Sequence, residues 1–209
     1  MEMNCVDTQM ELFVEPQKEK RIVYFDLETQ KSADEVGGWD NKHLMKIAVA
    51  VVYDSLDKKF YTYLESDAGG LVEKLLSADL VVGFNILNFD FAVLQPYTTV
   101  ELKSRVRSFD ILKDVWDRLG YRVSLNQIAK KTLHVEKGGN GLLSLQWFKE
   151  GKMAQIIEYC IKDVEITRDV FLCGLKNGYL DFEKNGQSVR LPINWDLKEM
   201  IGKWTGQLF

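Results

Sequence analysis

The stretch RIVYFDLET, residues 21–29, decides the architecture. Ile22, Val23, Tyr24 and Phe25 make a β-branched and aromatic run of the kind that fills a central strand. Asp26 and Glu28 follow one residue apart, where a buried strand would take neither. Strand side chains alternate faces, so the two acids point the same way, about 6.5 to 7 Å apart along the strand, and can converge on one cation. An Asp-x-Glu at a strand end is also what an ordinary solvated terminus looks like, and the pair alone does not separate the two readings.

Outward from this strand, QKSADEVGGWDNKH (30–43) is polar and Gly-containing and predicts a long loop. LMKIAVAVVYDSLDKKFYTYLE (44–65) offers two strand runs separated by Asp54, Ser55, Leu56 and Asp57, a hairpin signal that puts three antiparallel strands side by side. AGGLVEKLLSAD (68–79) has helical spacing and leads into LVVGFN (80–85), a buried strand ending in Gly, Phe and Asn. NFDFAVLQPY (88–97) predicts a short helix stopped near Pro96, and RVRSFDIL (105–112) a fifth strand. Ser124 caps a helix over SLNQIAKKTL (124–133). Past EKGGNG (136–141), read as a mobile loop, the longest helix runs from about Lys152 to Lys176, with Ile156, Ile157, Cys160, Val164 and Phe171 spaced to bury one face. YLDFEKNGQSVRLPI (179–193) is a hairpin about Asn185-Gly186, and a short Trp-containing helix ends the chain.

The expected fold class is α/β: a central mixed β-sheet of about five strands flanked by helices, with a late β-hairpin. Residues 1–20 are expected to be a loose tail, 21–178 the main domain, and 179–209 a hairpin and short helix packed on it. The 209 residues, 46% of them hydrophobic, suffice for one well-filled core. With 27 basic and 31 acidic residues, net −4, the chain is no polycation binding nucleic acid by counterion release alone. Setting aside four carboxylates for a metal site would leave it neutral, so local patches decide. Cys5, Cys160 and Cys173 are odd in number and lack a C-x-x-C pair, which argues against disulfides and thiolate zinc. The first twenty residues do not read as a signal peptide, and no window approaches a membrane span, so a cytoplasmic protein without a membrane partner is expected.

Two further acids stand out. Asp90 follows a predicted strand at the start of a helix, a position that favours an anion for structural reasons alone. Asn85 and Phe89 beside it turn the strand end into a recognisable pattern. Tyr159 and Asp163, in EYCIKDVEIT (158–167), are four apart in the long helix and share a face. An Asp on a buried helix face is costly unless paired or bound to metal.

FDLET, GFNILNFD and YCIKD resemble, in order, the three motifs of the DEDD 3′–5′ exonucleases, a ribonuclease H-like superfamily that includes polymerase proofreading domains. The first and third are especially similar to those of family B DNA polymerases, and the whole chain resembles stand-alone bacterial exonuclease domains of this kind. The resemblance spans Arg21 to about Lys176. It implies a ribonuclease H-like fold and four metal-binding carboxylates, Asp26, Glu28, Asp90 and Asp163. The family divides by a His five residues, or a Tyr four residues, before the last Asp. Glu158 and Tyr159 hold those positions here, so the chain resembles the tyrosine branch, and neither His43 nor His134 falls in a motif.

The implied chemistry is phosphodiester hydrolysis assisted by two divalent ions, Mg²⁺ or Mn²⁺. By that resemblance Asp26 bridges the ions, Glu28 and Asp163 complete the nucleophile-side site, Asp90 serves the other partly through water, and Tyr159 orients the attacking water. Thr29 and Asn85 are candidate contacts to the terminal nucleotide. The partner would be a nucleic-acid 3′ end, with single-stranded DNA the leading substrate and a helicase as a possible protein partner. Lys103, Arg105 and Arg107, placed on the fifth strand, are weighed as a phosphate track or a solvated face, and Trp39 as a stacking or packing residue. Asp110 is noted as a strand-end acid. Two alternatives stand: DLET is close to the Asp-x-Asp-x-Thr of dehalogenase-like phosphatases, in which Asp26 would be a nucleophile, and the domain would also serve as a non-catalytic module binding nucleic acid or a helicase.

Overall fold

A computed structural model of the protein describes residues 19–135 and 141–202. The expected tail up to residue 18 with its Cys5, residues 136–140 of the expected loop, and Trp204 of the expected final helix lie outside the described residues.

Five strands form one mixed sheet in the order β3-β2-β1-β4-β5. β1 (Ile22–Thr29), β2 (Ile47–Asp54) and β3 (Lys59–Tyr63) pair antiparallel, whereas β4 (Leu80–Gly83) and β5 (Ser108–Asp110) run parallel to β1. β1 therefore sits at the centre, its Val23 and Phe25 wholly buried. Its alternation divides the molecule into two cores. Val23, Phe25 and Leu27 pack on α1 (Ala68–Leu76) and α2 (Asp90–Leu94), while Tyr24 faces the helix layer of α4 (Ile111–Leu119), α5 (Leu125–Thr132) and α7 (Met153–Asn177). Asp26 and Glu28 share the parity of Tyr24, so they face α7.

The central mixed sheet, the helix layers and the late hairpin agree with the sequence. β6 (Tyr179–Lys184) and β7 (Gln187–Pro192) turn at Asn185 and Gly186, both left-handed with φ of 51° and 77°. Ser124 caps α5, its side chain accepting from the Gln127 N–H while Gln127 reaches back. Elsewhere the structure corrects the sequence. The strand expected over 105–112 is only Ser108–Asp110: Arg105 closes α3 (Leu102–Arg105) and Ile111 opens α4. Asp110 ends the strand because its carboxylate caps Lys113, after which Ile111, Leu112 and Val115 follow a helical period and are buried. Lys103 and Arg105 thus lie on a helix and are exposed, not on a strand. The loop after β1 folds into two 3₁₀ turns, Asp34–Val36 and Trp39–Leu44. A separate helix, α6 (Gly141–Lys149), precedes α7 and is absent from the sequence expectation.

The hairpin completes the α7-side core rather than standing apart. Leu180, Phe182, Leu191, Ile193 and Trp195 are buried with Phe171 and Val170 of α7. The Trp195 ring stacks on Phe171 at 5.5 Å and meets Phe109 edge-on at 5.0 Å, and its indole N–H donates to Asp114 at 2.9 Å. Gly174 makes this possible, since a Cβ there would collide with Trp195 and with Ile193. α8 (Leu197–Gly202) follows.

Candidate active site

Asp26 and Glu28 leave the last half of β1 toward α7, and Asp163 meets them from that helix. Ligand oxygens of the three carboxylates lie within 4.8 Å of one another. Asp163 is 3% exposed and the other two are half-buried. Carboxylates this close oppose one another's ionisation. A hard divalent cation reverses that, because an all-oxygen donor set on two rigid elements suits Mg²⁺ or Mn²⁺. The residues present therefore fit the metal site that the motifs imply.

Asp90 lies at the start of α2, 2% exposed, outside this trio. Its Oδ1 accepts the Leu27 N–H at 3.1 Å, tying α2 to the β1 backbone between Asp26 and Glu28. Burial pushes the Asp90 carboxyl well above the usual range, and the negative charges of Asp110 and Glu28 add to the effect. The turn leading to Asp90 is built by Asp110. Besides capping α4, that carboxylate accepts the N–H groups of Asn85 at 2.8 Å and Leu87 at 3.0 Å. Asn85 adopts a left-handed φ of 71°, one of the few conformations that Asn tolerates better than most residues. Gly83 is required just before it, because a Cβ would strike Ile86 and lie 3.0 Å from the Phe25 carbonyl.

Tyr159 stands one turn before Asp163 in α7, buried, with its ring meeting Trp147 of α6 edge-on at 6.0 Å and 70°. Trp147, Gln155, Tyr159, Lys162 and Asp163 are among the residues lining a groove of about 460 Å³ between these helices. Thr29 is buried, and its hydroxyl donates to the Lys31 carbonyl at 3.0 Å, next to a register shift in the β1–β2 pairing at Glu28/Thr29. Trp39 is 65% exposed and its ring packs on Phe89 at 6.3 Å.

Two neighbours of the acids were not legible as such in the sequence. The Ser144 hydroxyl of α6 donates to Glu28 Oε2 at 2.5 Å. Cys160, read as a helix-face residue, is wholly buried with its Sγ 3.4 Å from the Asp26 carbonyl and 3.6 Å from Asp26 Oδ2. Burial, and then the charges of Asp26, Glu28 and Asp163, push its thiol well up, so it stays protonated and able to donate. Helical spacing showed that Cys160 faces inward, but no local signal marked Ser144.

Among the described residues no helix is long and apolar enough to cross a membrane. No curated protein matches the chain. Among solved structures it is similar to the family B DNA polymerase of the hyperthermophilic archaeon Pyrobaculum calidifontis, with a TM-score of 0.56 and 15% identity over 76% of this chain. The match covers 25% of the polymerase, so this chain spans about a quarter of that protein, and the likeness is one of fold. The family model described as RNase_H superfamily matches residues 23–171, a segment that takes in Asp26, Glu28, Asp90, Tyr159 and Asp163. The chain thus belongs to the RNase H superfamily.

Proposed function

We propose that this protein is a metal-dependent 3′–5′ exonuclease of the tyrosine branch, hydrolysing phosphodiester bonds from the 3′ end of nucleic acid, with single-stranded DNA as its main substrate. The observation that carries this is the convergence of Asp26 and Glu28 from β1 and Asp163 from α7, one oxygen of each lying within 4.8 Å of the others. The fold likeness to a family B DNA polymerase agrees with the motif resemblance to the proofreading domains of that class.

When bound, two divalent ions supply an activated water and charge stabilisation on the attacking and leaving oxygens. Asp26, Glu28 and Asp163 would hold them, with Asp90 as the fourth carboxylate. Through the Leu27 N–H, Asp90 also fixes the strand between the two β1 ligands. A phenol is a poor base, so Tyr159 would orient the attacking water by hydrogen bonding. Thr29 and Asn85 remain the proposed contacts to the terminal nucleotide, each through atoms other than those engaged in their turns.

The test is degradation of 5′-labelled DNA and RNA with Mg²⁺ or Mn²⁺, comparing free and 3′-blocked ends. A ladder shortening from a free 3′ end, absent with the blocked end and absent in Asp26→Ala and Asp163→Ala variants that still fold, is the expected result. Binding without cleavage by the unaltered protein would favour the non-catalytic module instead, and a phosphate trapped on Asp26 the phosphatase.

A further inference from the structure

We infer that Ser144, and through it α6, is a positioning residue that aims the Glu28 carboxylate at the metal site; this rests on the metal-dependent reading above. Ser144 is 1% exposed and stands 116 residues from Glu28 in the chain, yet its hydroxyl lies 2.5 Å from Glu28 Oε2. A serine within a helix ordinarily turns to solvent or bonds back to the preceding turn. Here the preceding turn is also in reach, with the Gly141 carbonyl at 2.8 Å. A hydroxyl has one proton for two acceptors. The Glu28 oxygen is the nearer acceptor, at a distance typical of a bond to a carboxylate, so the proton goes to Glu28.

The consequence is geometric. Glu28 has one more rotatable bond than an Asp in the same place, and a carboxylate that turns about it presents its oxygens in many directions. Fixing Oε2 from α6 leaves Glu28 with one orientation for the rest of its lone pairs, which is what a convergent site requires. Asp26 is shorter and sits against Cys160.

α6 is itself tied to the elements around it at two further points. Trp147, three residues after Ser144 and therefore on the same face, meets the Tyr159 ring. Lys149 pairs with Glu35, in the turn after β1, at 2.8 Å. One short helix thus touches a metal-holding acid from β1 and the tyrosine from α7, and spans the two elements that bear the site.

The experiment measures Mn²⁺ binding by calorimetry or by the electron spin resonance of unbound Mn²⁺, on the full chain and on Ser144→Ala and Ser144→Thr. Melting without metal checks the folding of each. The Ala variant is expected to bind Mn²⁺ about 10- to 100-fold more weakly. Its nuclease activity should recover most of its loss at saturating Mn²⁺, while Thr, which keeps the hydroxyl, restores the affinity. An Ala variant binding as tightly as the unaltered protein overturns the inference, as does a Thr variant as weak as Ala. Failure of the unaltered protein to bind Mn²⁺ would instead remove the metal-site reading itself, so the two failures are distinguishable.

Discussion

At one end of the β1–β2 pair, Asp54 is fully buried against Arg21, whose guanidinium makes a short contact with it, and against Lys74 at 2.5 Å. Its other oxygen accepts the backbone N–H groups of Leu56 and Asp57 in the turn that follows. At the other end Asp26, Glu28 and Asp163 are brought together from two elements. The first acid is placed where neighbouring cations and its own turn satisfy its charge, which makes it a staple between β1, β2 and α1. The second group is placed where its members converge on one point, an all-oxygen arrangement that suits a divalent cation. Buried charge is therefore not itself the mark of a site. What distinguishes the second end is that three acids from two elements are directed at a shared point.

The largest effect should come from Asp163→Ala. Losing a ligand forfeits several kcal/mol of transition-state stabilisation, about 10³-fold in nuclease rate, with no loss of metal-free melting temperature. Next is Asp54→Ala, which should lower stability by about 3 kcal/mol in denaturant titration, because Arg21 and Lys74 lose their buried partner, and leave cleavage by the remaining folded protein unchanged. If Asp54→Ala abolished cleavage without unfolding, the contrast between the ends would break. Third, Mn²⁺ at about 100 times its dissociation constant should raise the melting temperature by roughly 5 to 10 °C. Asp54→Ala should keep that rise and Asp163→Ala should lose it.

The smallest effect lies at the rim of the site. Hydrogen bonding from Lys149, with help from Ser32, holds the Glu35 carboxyl down at about 2, against an ordinary 4.5. A carboxyl lowered on folding stabilises the folded state when ionised, so its contribution is present above about pH 4.5 and is lost as the pH falls toward 2. Melting curves of Glu35→Gln should lie slightly below those of the unaltered protein at pH 6 and converge with them as the pH approaches 2. The exposed setting of this pair keeps the difference small.

The motif acids were legible because each sits at a local landmark: a strand end for Asp26 and Glu28, a helix start for Asp90, and one helix turn for Tyr159 and Asp163. Asp110 was visible as an acid but not as an organiser, since the strand was read through Ile111 and Leu112. The apolar spacing that begins there is helical, and an Asp before it is a cap. Ser144 was silent because its significance is a contact with a residue on another element, and α6 lacks a strong amphipathic pattern, with Leu142 and Leu143 exposed. The direct bond from Asp90 to Leu27 was equally hidden, since motif spacing says which residues belong to a site but not which of their oxygens are taken up by the backbone.

Gly174 and Trp195 bear on how far the protein can be divided. The segment matched by the family ends at residue 171, inside α7. Yet the helix that carries Tyr159 and Asp163 near its start is buttressed near its end by an indole from the hairpin's far side, seated where glycine leaves room. A chain cut after Asn177 would lose the ring that packs on both Phe171 and Phe109, so the packing of the helix bearing the site draws on residues well past the matched segment.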